Sequence, residues 1–200
     1  RTNGLCEVLQ GQMVGSTKWK KILIWLKQLI FLNRILKKGK FFVMNIRLLA
    51  IGKTDNKNLQ ILMDEYSKRL GFYVKFDMEV IPDLKNVKNL TEKLQKEKEG
   101  ELILSKITAT DQLILLDENG ASFSSVDFSD YLQKKMNSGV KTLVFVIGGP
   151  YGFSDEVYAK AQGKISLSAM TFSHQMVRLF VIEQLYRGFT ILKNEPYHHQ

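Results

Sequence analysis

Four stretches of the chain hold residues whose types and spacing can do chemistry. Residues 115–120 read LLDENG, an apolar run that closes in two acids and a glycine; taken alone, it reads as a strand ending in a turn. Residues 145–154 read FVIGGPYGFS, so a buried strand runs straight into three glycines and a proline. Glycines let a backbone take positive φ or approach a ligand closely. The pattern is neither a dinucleotide fingerprint nor a phosphate loop, because no Lys-Ser/Thr pair follows Gly152. A tight packing turn and a ligand loop both fit it. Residues 165–174 read ISLSAMTFSH, small and rich in hydroxyls. There Ser173 is suited to cap a helix beginning at His174, or the hydroxyls and amides face a ligand. The fourth stretch has Arg178, Glu183 and Arg187 on one helix, then Tyr197, His198 and His199. Glu183 and Arg187 are four apart and share a helix face, so they can pair. Arg178 projects about half a turn round from Arg187 and serves a different surface. The histidine pair has no third ligand at metal spacing, so no metal site is expected.

The elements that must position these residues alternate. Residues 45–51 (NIRLLAI), 74–81, 112–116 (QLILL), 142–147 (TLVFVI) and 165–167 read as strands. Apolar spacing predicts helices over 58–70, 90–106, 125–136, 154–161 and 174–192, with Ser124 or Ser125 suited to cap the third and Ser154 the fourth. The second is charged, with Leu94, Leu102 and Ile103 as its apolar residues and an interruption expected at Gly100. Strands alternating with helices predict an α/β fold with a mainly parallel sheet. Ligands of such sheets gather beyond the carboxyl ends of the strands, which points to residues 116–120, 148–153 and 167–172.

Charge is distributed unevenly. The net charge is +9, yet residues 1–43 hold nine Lys/Arg against the single acid Glu7. The remainder is nearly neutral, so bulk charge gives no support for tight binding to naked nucleic acid. Residues 1–43 also contain both tryptophans and the only cysteine, Cys6. A single cysteine allows no intrachain disulfide, and a cytoplasmic location is the simplest reading. Lys27 breaks the apolar stretch, which makes a membrane span or signal peptide a poor fit. Two readings of residues 1–43 stay open: a basic amphipathic helix on a membrane or partner surface, and an extension preceding a start at Met44.

Taken in order, LLDENG, FVIGGPYGFS, ISLSAMTFSHQMVRLFVIEQLYR and PYHH resemble the RlmH family of SPOUT-class methyltransferases. The resemblance runs from Met44 to the end of the chain, which sets residues 44–200 apart as the enzymatic domain. It implies a deep trefoil knot near the C-terminus, a topology that ordinary connection rules would not propose. It also implies a homodimer with the knotted regions face to face. The reaction implied is transfer of a methyl group from S-adenosylmethionine to N3 of a pseudouridine, in a hairpin loop of large-subunit (23S) ribosomal RNA on the assembled ribosome. By resemblance the cofactor contacts fall on Leu116, Gly148, Leu167, Ser168, Ala169, Met170, Thr171 and Phe172. His174, Arg187, Tyr197 and His198 are the candidates for catalysis and RNA contact, with Tyr197 as a stacking platform and Arg178, like Arg187, as a contact to phosphate or the uracil carbonyls. A related enzyme acting on tRNA or another ribosomal position is the alternative, followed by a membrane-peripheral ligand-binding protein anchored by residues 1–43.

Overall fold

The computed structural model describes residues 44–85 and 90–198; the readings made for residues 1–43 and for His199 lie outside them. Among the described residues, five strands and five helices follow one another: β1 (Asn45–Ile51), α1 (Lys57–Leu70), β2 (Lys75–Ile81), α2 (Glu92–Ser105), β3 (Asp111–Ser122), α3 (Ser125–Asn137), β4 (Thr142–Ile147), α4 (Asp155–Lys160), β5 (Gly163–Ser166) and α5 (His174–Leu192). The strands form one sheet in the order β2-β1-β4-β3-β5. Every pairing is parallel.

Side chains alternate across the strands and feed two cores. Ile46, Leu48, Ala50, Ile114, Phe145 and Ile147 face one side, where Met63, Leu132, Val181, Ile182 and Leu185 of α1, α3 and α5 cover them. Leu49, Ile51, Leu113, Leu115, Val144 and Val146 face the other, under Ile103 of α2 and Val157 of α4. A sheet buried on both faces has no polar face to alternate with, which explains the continuous apolar runs of its central strands.

Each helix begins at a side-chain cap. Asn56, Thr91, Ser124, Ser154 and Ser173 accept hydrogen bonds from backbone N–H groups of the first turns of α1 to α5. The Ser154 and Ser173 caps stand where the sequence puts them.

Two expectations are corrected. The strand through LLDENG does not end at Leu116. β3 continues to Ser122, and its register against β5 shifts between Leu116 and Ala121, both of which pair with Ile165. Residues 117–120 thus leave the ladder and rejoin it. A local sequence reads as a turn in either case, because only the partner strand shows that pairing resumes. Nor is α2 interrupted at Gly100; it is continuous, and its buried positions are Gln95, Glu99, Gly100 and Ile103. Leu94 and Leu102 are exposed.

Candidate active site

At the carboxyl edge of the sheet, β4 ends at Ile147, paired with Leu116 midway along β3. Gly148 follows directly, one residue beyond that pair. A cleft of about 440 Å³ opens there, between the ends of β3 and β5 and helices α3 and α5. Leu116, Leu167 and Phe172 line it, with the aromatic rings of Phe123, Phe128 and Phe180. Phe172 stands edge-on to Phe180 at 5.0 Å between centroids. Ser124, Ser125, Ser166 and Gln184 supply the polar groups, and no charged side chain is among the lining residues. Ser125 Oγ donates to Gln184 Oε1 at 3.2 Å, which ties the two helical walls together.

The remaining members of the expected cofactor set have other placements. Ser168 organises its own loop: its carbonyl accepts from Ser166 Oγ at 3.0 Å, and its hydroxyl accepts from the Met170 amide at 2.9 Å. Met170 is exposed. Ala169 and Thr171 fill out the same turn, and neither is among the cleft's lining residues. Gly148 is packed by its own loop, since an added Cβ would lie 3.1 Å from the Phe153 ring and 3.2 Å from the Gly152 carbonyl oxygen. The proline-containing turn closes through a bridge between Gly149 and Gly152, with Gly152 at φ +82°.

Arg187, Tyr197 and His198 come together at the far end of α5. Glu183 Oε1 accepts from Arg187 Nε at 3.0 Å and from its Nη2 at 2.6 Å. The Tyr197 hydroxyl donates to the same oxygen at 3.0 Å. The Arg187 guanidinium lies 4.7 Å over the Tyr197 ring, and its Nη1 stands 3.5 Å from His198 Nδ1. Tyr197 also meets Tyr186 edge-on at 4.7 Å. Burial pushes its phenol pKa up, and hydrogen bonds to Tyr66 and Glu183 raise it further. A phenol held that high stays protonated at neutral pH and is a poor general base. The ring is therefore engaged on one face and one edge within its own chain.

His174 is separate from this group. It is the first residue of α5, exposed, beside the 167–172 loop. Thirteen residues of helix, about 20 Å, divide it from Arg187. Arg178 does not reach the surface at all. It is 1% exposed, and it donates to Thr54 Oγ1 at 2.6 Å and to the Ile51 carbonyl at 2.7 Å. Helical spacing placed it correctly away from Arg187 but could not tell a buried face from a wet one.

Sequence reasoning missed the α3 side of the cleft. Phe123, Ser124 and Ser125 follow the LLDENG stretch directly, and their approach to Phe180 and Gln184 depends on how α3 packs on α5. Among the described residues, no group of His, Cys, Asp or Glu is arranged to hold a metal. No helix among them is long and apolar enough to cross a membrane.

Comparison with known proteins agrees with this architecture. The family described as "Predicted SPOUT methyltransferase" matches residues 44–198. The ribosomal RNA large subunit methyltransferase H of Flavobacterium johnsoniae is 81% identical, over 78% of this chain and 100% of its own length. That of Flavobacterium psychrophilum is 83% identical over the same shares. A solved probable methylase family protein from Haemophilus influenzae superposes with a TM-score of 0.44, at 12% identity over 78% of this chain and 69% of that chain. On the extent of the family match and the identity of these relatives, the chain belongs to the SPOUT methyltransferases of the RlmH family.

Proposed function

We propose that this enzyme transfers a methyl group from S-adenosylmethionine to N3 of a pseudouridine in a hairpin loop of large-subunit ribosomal RNA, acting on the assembled ribosome in the cytoplasm. The observation that carries the reading is the uncharged, aromatic-walled cleft beyond the carboxyl ends of β3 and β5. Its size and lining suit a neutral nucleoside: apolar walls for a purine, with hydroxyls, an amide side chain and loop backbone for its edges. Phosphate-rich cofactors would need cations that this lining lacks. The relatives named ribosomal RNA large subunit methyltransferase H support the choice of RNA.

The donor supplies an activated sulfonium methyl group, so the protein's work is position, desolvation and proton management. Leu116, Leu167 and Phe172 hold the nucleoside, and the backbone from Ser168 to Thr171 shapes the rim. Gly148 lets the end of β4 lie beside the site. The N3–H of a uracil-type base must lose its proton on or before transfer. His174 and His198 are the candidates to receive it, since Tyr197 keeps its own proton. Arg187 and the tail around Tyr197 orient RNA phosphate and base.

The proposal includes a homodimer with the knotted regions face to face, and the separation of His174 from Arg187 along α5 supports it. One chain alone does not gather those two side chains. A second chain whose Arg187 end lay beside the first chain's His174 would. The trefoil knot and the division of the chain at Met44 belong to the same reading, supported by a family match that begins at residue 44.

The test is methylation of large ribosomal subunits from a strain lacking the enzyme, with a labelled methyl donor and mass mapping of nucleosides. The expected product is N3-methylpseudouridine at one hairpin position. Label on tRNA or at another ribosomal position would overturn the substrate assignment, and absence of cofactor binding would overturn the enzyme assignment.

A further inference from the structure

The inward face of α2 is polar where a core helix is ordinarily apolar. Gln95, Glu99 and Ile103 form its buried row, with Gly100 beside them. Glu99 is 3% exposed. Its Oε1 accepts from Gln95 Nε2 at 2.8 Å. Its Oε2 has no hydrogen-bond partner among the described residues. A buried carboxyl with a free oxygen is expensive, and so calls for a reason.

That oxygen is packed against Gly149. A Cβ added to Gly149 would overlap Oε2 of Glu99 and lie 2.7 Å from its Cδ. One residue further along α2, Gly100 is bare where a Cβ would run into Oγ of Ser154, the N-cap of α4. Two consecutive residues of α2 therefore close on the two ends of the 148–154 turn: Glu99 on its start and Gly100 on its finish. Within the turn, Gly152 donates its N–H to the Gly149 carbonyl at 3.1 Å. The turn begins at Gly148, directly after Ile147, whose partner Leu116 lines the cleft.

We propose that Glu99 is a positioning residue for cofactor binding: it fills the space beside Gly149, fixes the 148–152 turn, and so sets the end of β4 against which Leu116 of β3 is paired. Any contact between Glu99 and the ligand is unnecessary to this role. The proposal rests on the methyltransferase reading above, and the experiment separates the two.

Calorimetry with S-adenosylhomocysteine on the full chain compares wild type with Glu99→Ala, Glu99→Gln, Gly149→Ala and the double variant Glu99→Ala/Gly149→Ala. Removing Glu99 to Ala should weaken binding about tenfold and raise KM for the methyl donor, with kcat at saturating donor and KM for ribosomes little changed. Glu99→Gln keeps the shape and should bind within about threefold of wild type. Gly149→Ala alone should bind poorly, because its new methyl meets the carboxyl. The double variant should bind better than Gly149→Ala, since the obstacle is gone; distant, independent sites would instead add. Wild-type affinity in Glu99→Ala, or additive losses in the double variant, would overturn the proposal. Should Glu99→Ala fail to melt cooperatively, Glu99→Gln and Gly149→Ala carry the test: equal affinities in the two would overturn it. If wild type itself takes up no S-adenosylhomocysteine, the functional reading fails instead.

Discussion

Tyr197 donates its hydroxyl to the same Glu183 oxygen that receives both N–H groups of Arg187, while the guanidinium covers the tyrosine ring. One carboxylate oxygen thus joins the C-terminal tail to α5. Tyr66 adds a fourth member, its hydroxyl 3.3 Å from that of Tyr197. The tail is thus docked on its own chain in a defined conformation.

Deleting residues 196–200 should abolish methylation and leave affinity for S-adenosylhomocysteine within about threefold of wild type, because the cleft's lining on α5 stops at Gln184 and includes none of Pro196, Tyr197 or His198. Tyr197→Phe should cost about 1 kcal/mol of stability, the worth of one hydrogen bond. Methylation assays, calorimetry and melting curves measure these. Equal loss of activity and cofactor binding in the truncated chain would make the tail a structural element only.

Phe172→Ala should weaken cofactor binding about five- to tenfold, since an aromatic contact contributes roughly 1 kcal/mol. The residue is 40% exposed, so the melting temperature should barely move. Unchanged affinity by calorimetry would move the cofactor out of this cleft.

Gly120→Ala should destabilise strongly. An added Cβ would stand 2.5 Å from the Ile165 backbone nitrogen and 2.6 Å from its carbonyl carbon, and backbone cannot swing aside as a side chain can. A cost of about 3 kcal/mol is expected, read as a fall of about 5–10 °C in melting temperature for a domain of this size. A variant melting with wild type would show that β3 and β5 do not pass this closely.

Arg178→Ala should cost about 3 kcal/mol, through lost packing and two acceptors left unpaired at Thr54 and Ile51. Burial lowers the pKa of this guanidinium, with Asp83 and Asp55 acting in the opposite sense. Because the group is enclosed, the salt dependence of ribosome binding should be the same in any variant here that still folds. A shallower salt slope would mean that Arg178 meets phosphate after all.

Glu99 gives a pH signature. Burial raises its pKa above the ordinary 4.5, Gln95 opposes that, and the charge of Asp83 adds to it. The folded protein then holds a proton that the unfolded chain releases. Stability from this group is complete below about pH 4.5 and declines as pH rises toward the folded-state value. Denaturant curves across that range should show wild type losing stability relative to Glu99→Gln. Parallel curves for the two would exclude a raised Glu99 pKa.

Much of this protein was legible in its residues. Fully apolar runs such as 142–147 mark strands covered on both faces, and Ser154 and Ser173 mark helix starts, because capping and burial are local chemistry. The Glu183–Arg187 pair was likewise fixed by helical spacing. The tertiary structure decided the rest. Only the β5 partner shows that β3 resumes pairing past Asp117, and only packing shows that Arg178 is enclosed. The sequence marks the second helix only as charged, and the burial of Gln95 and Glu99 is invisible there because the sequence records charge, not surroundings. The α3 wall of the cleft likewise comes from residues about 60 positions away from their α5 partners, brought together by packing that no local pattern encodes.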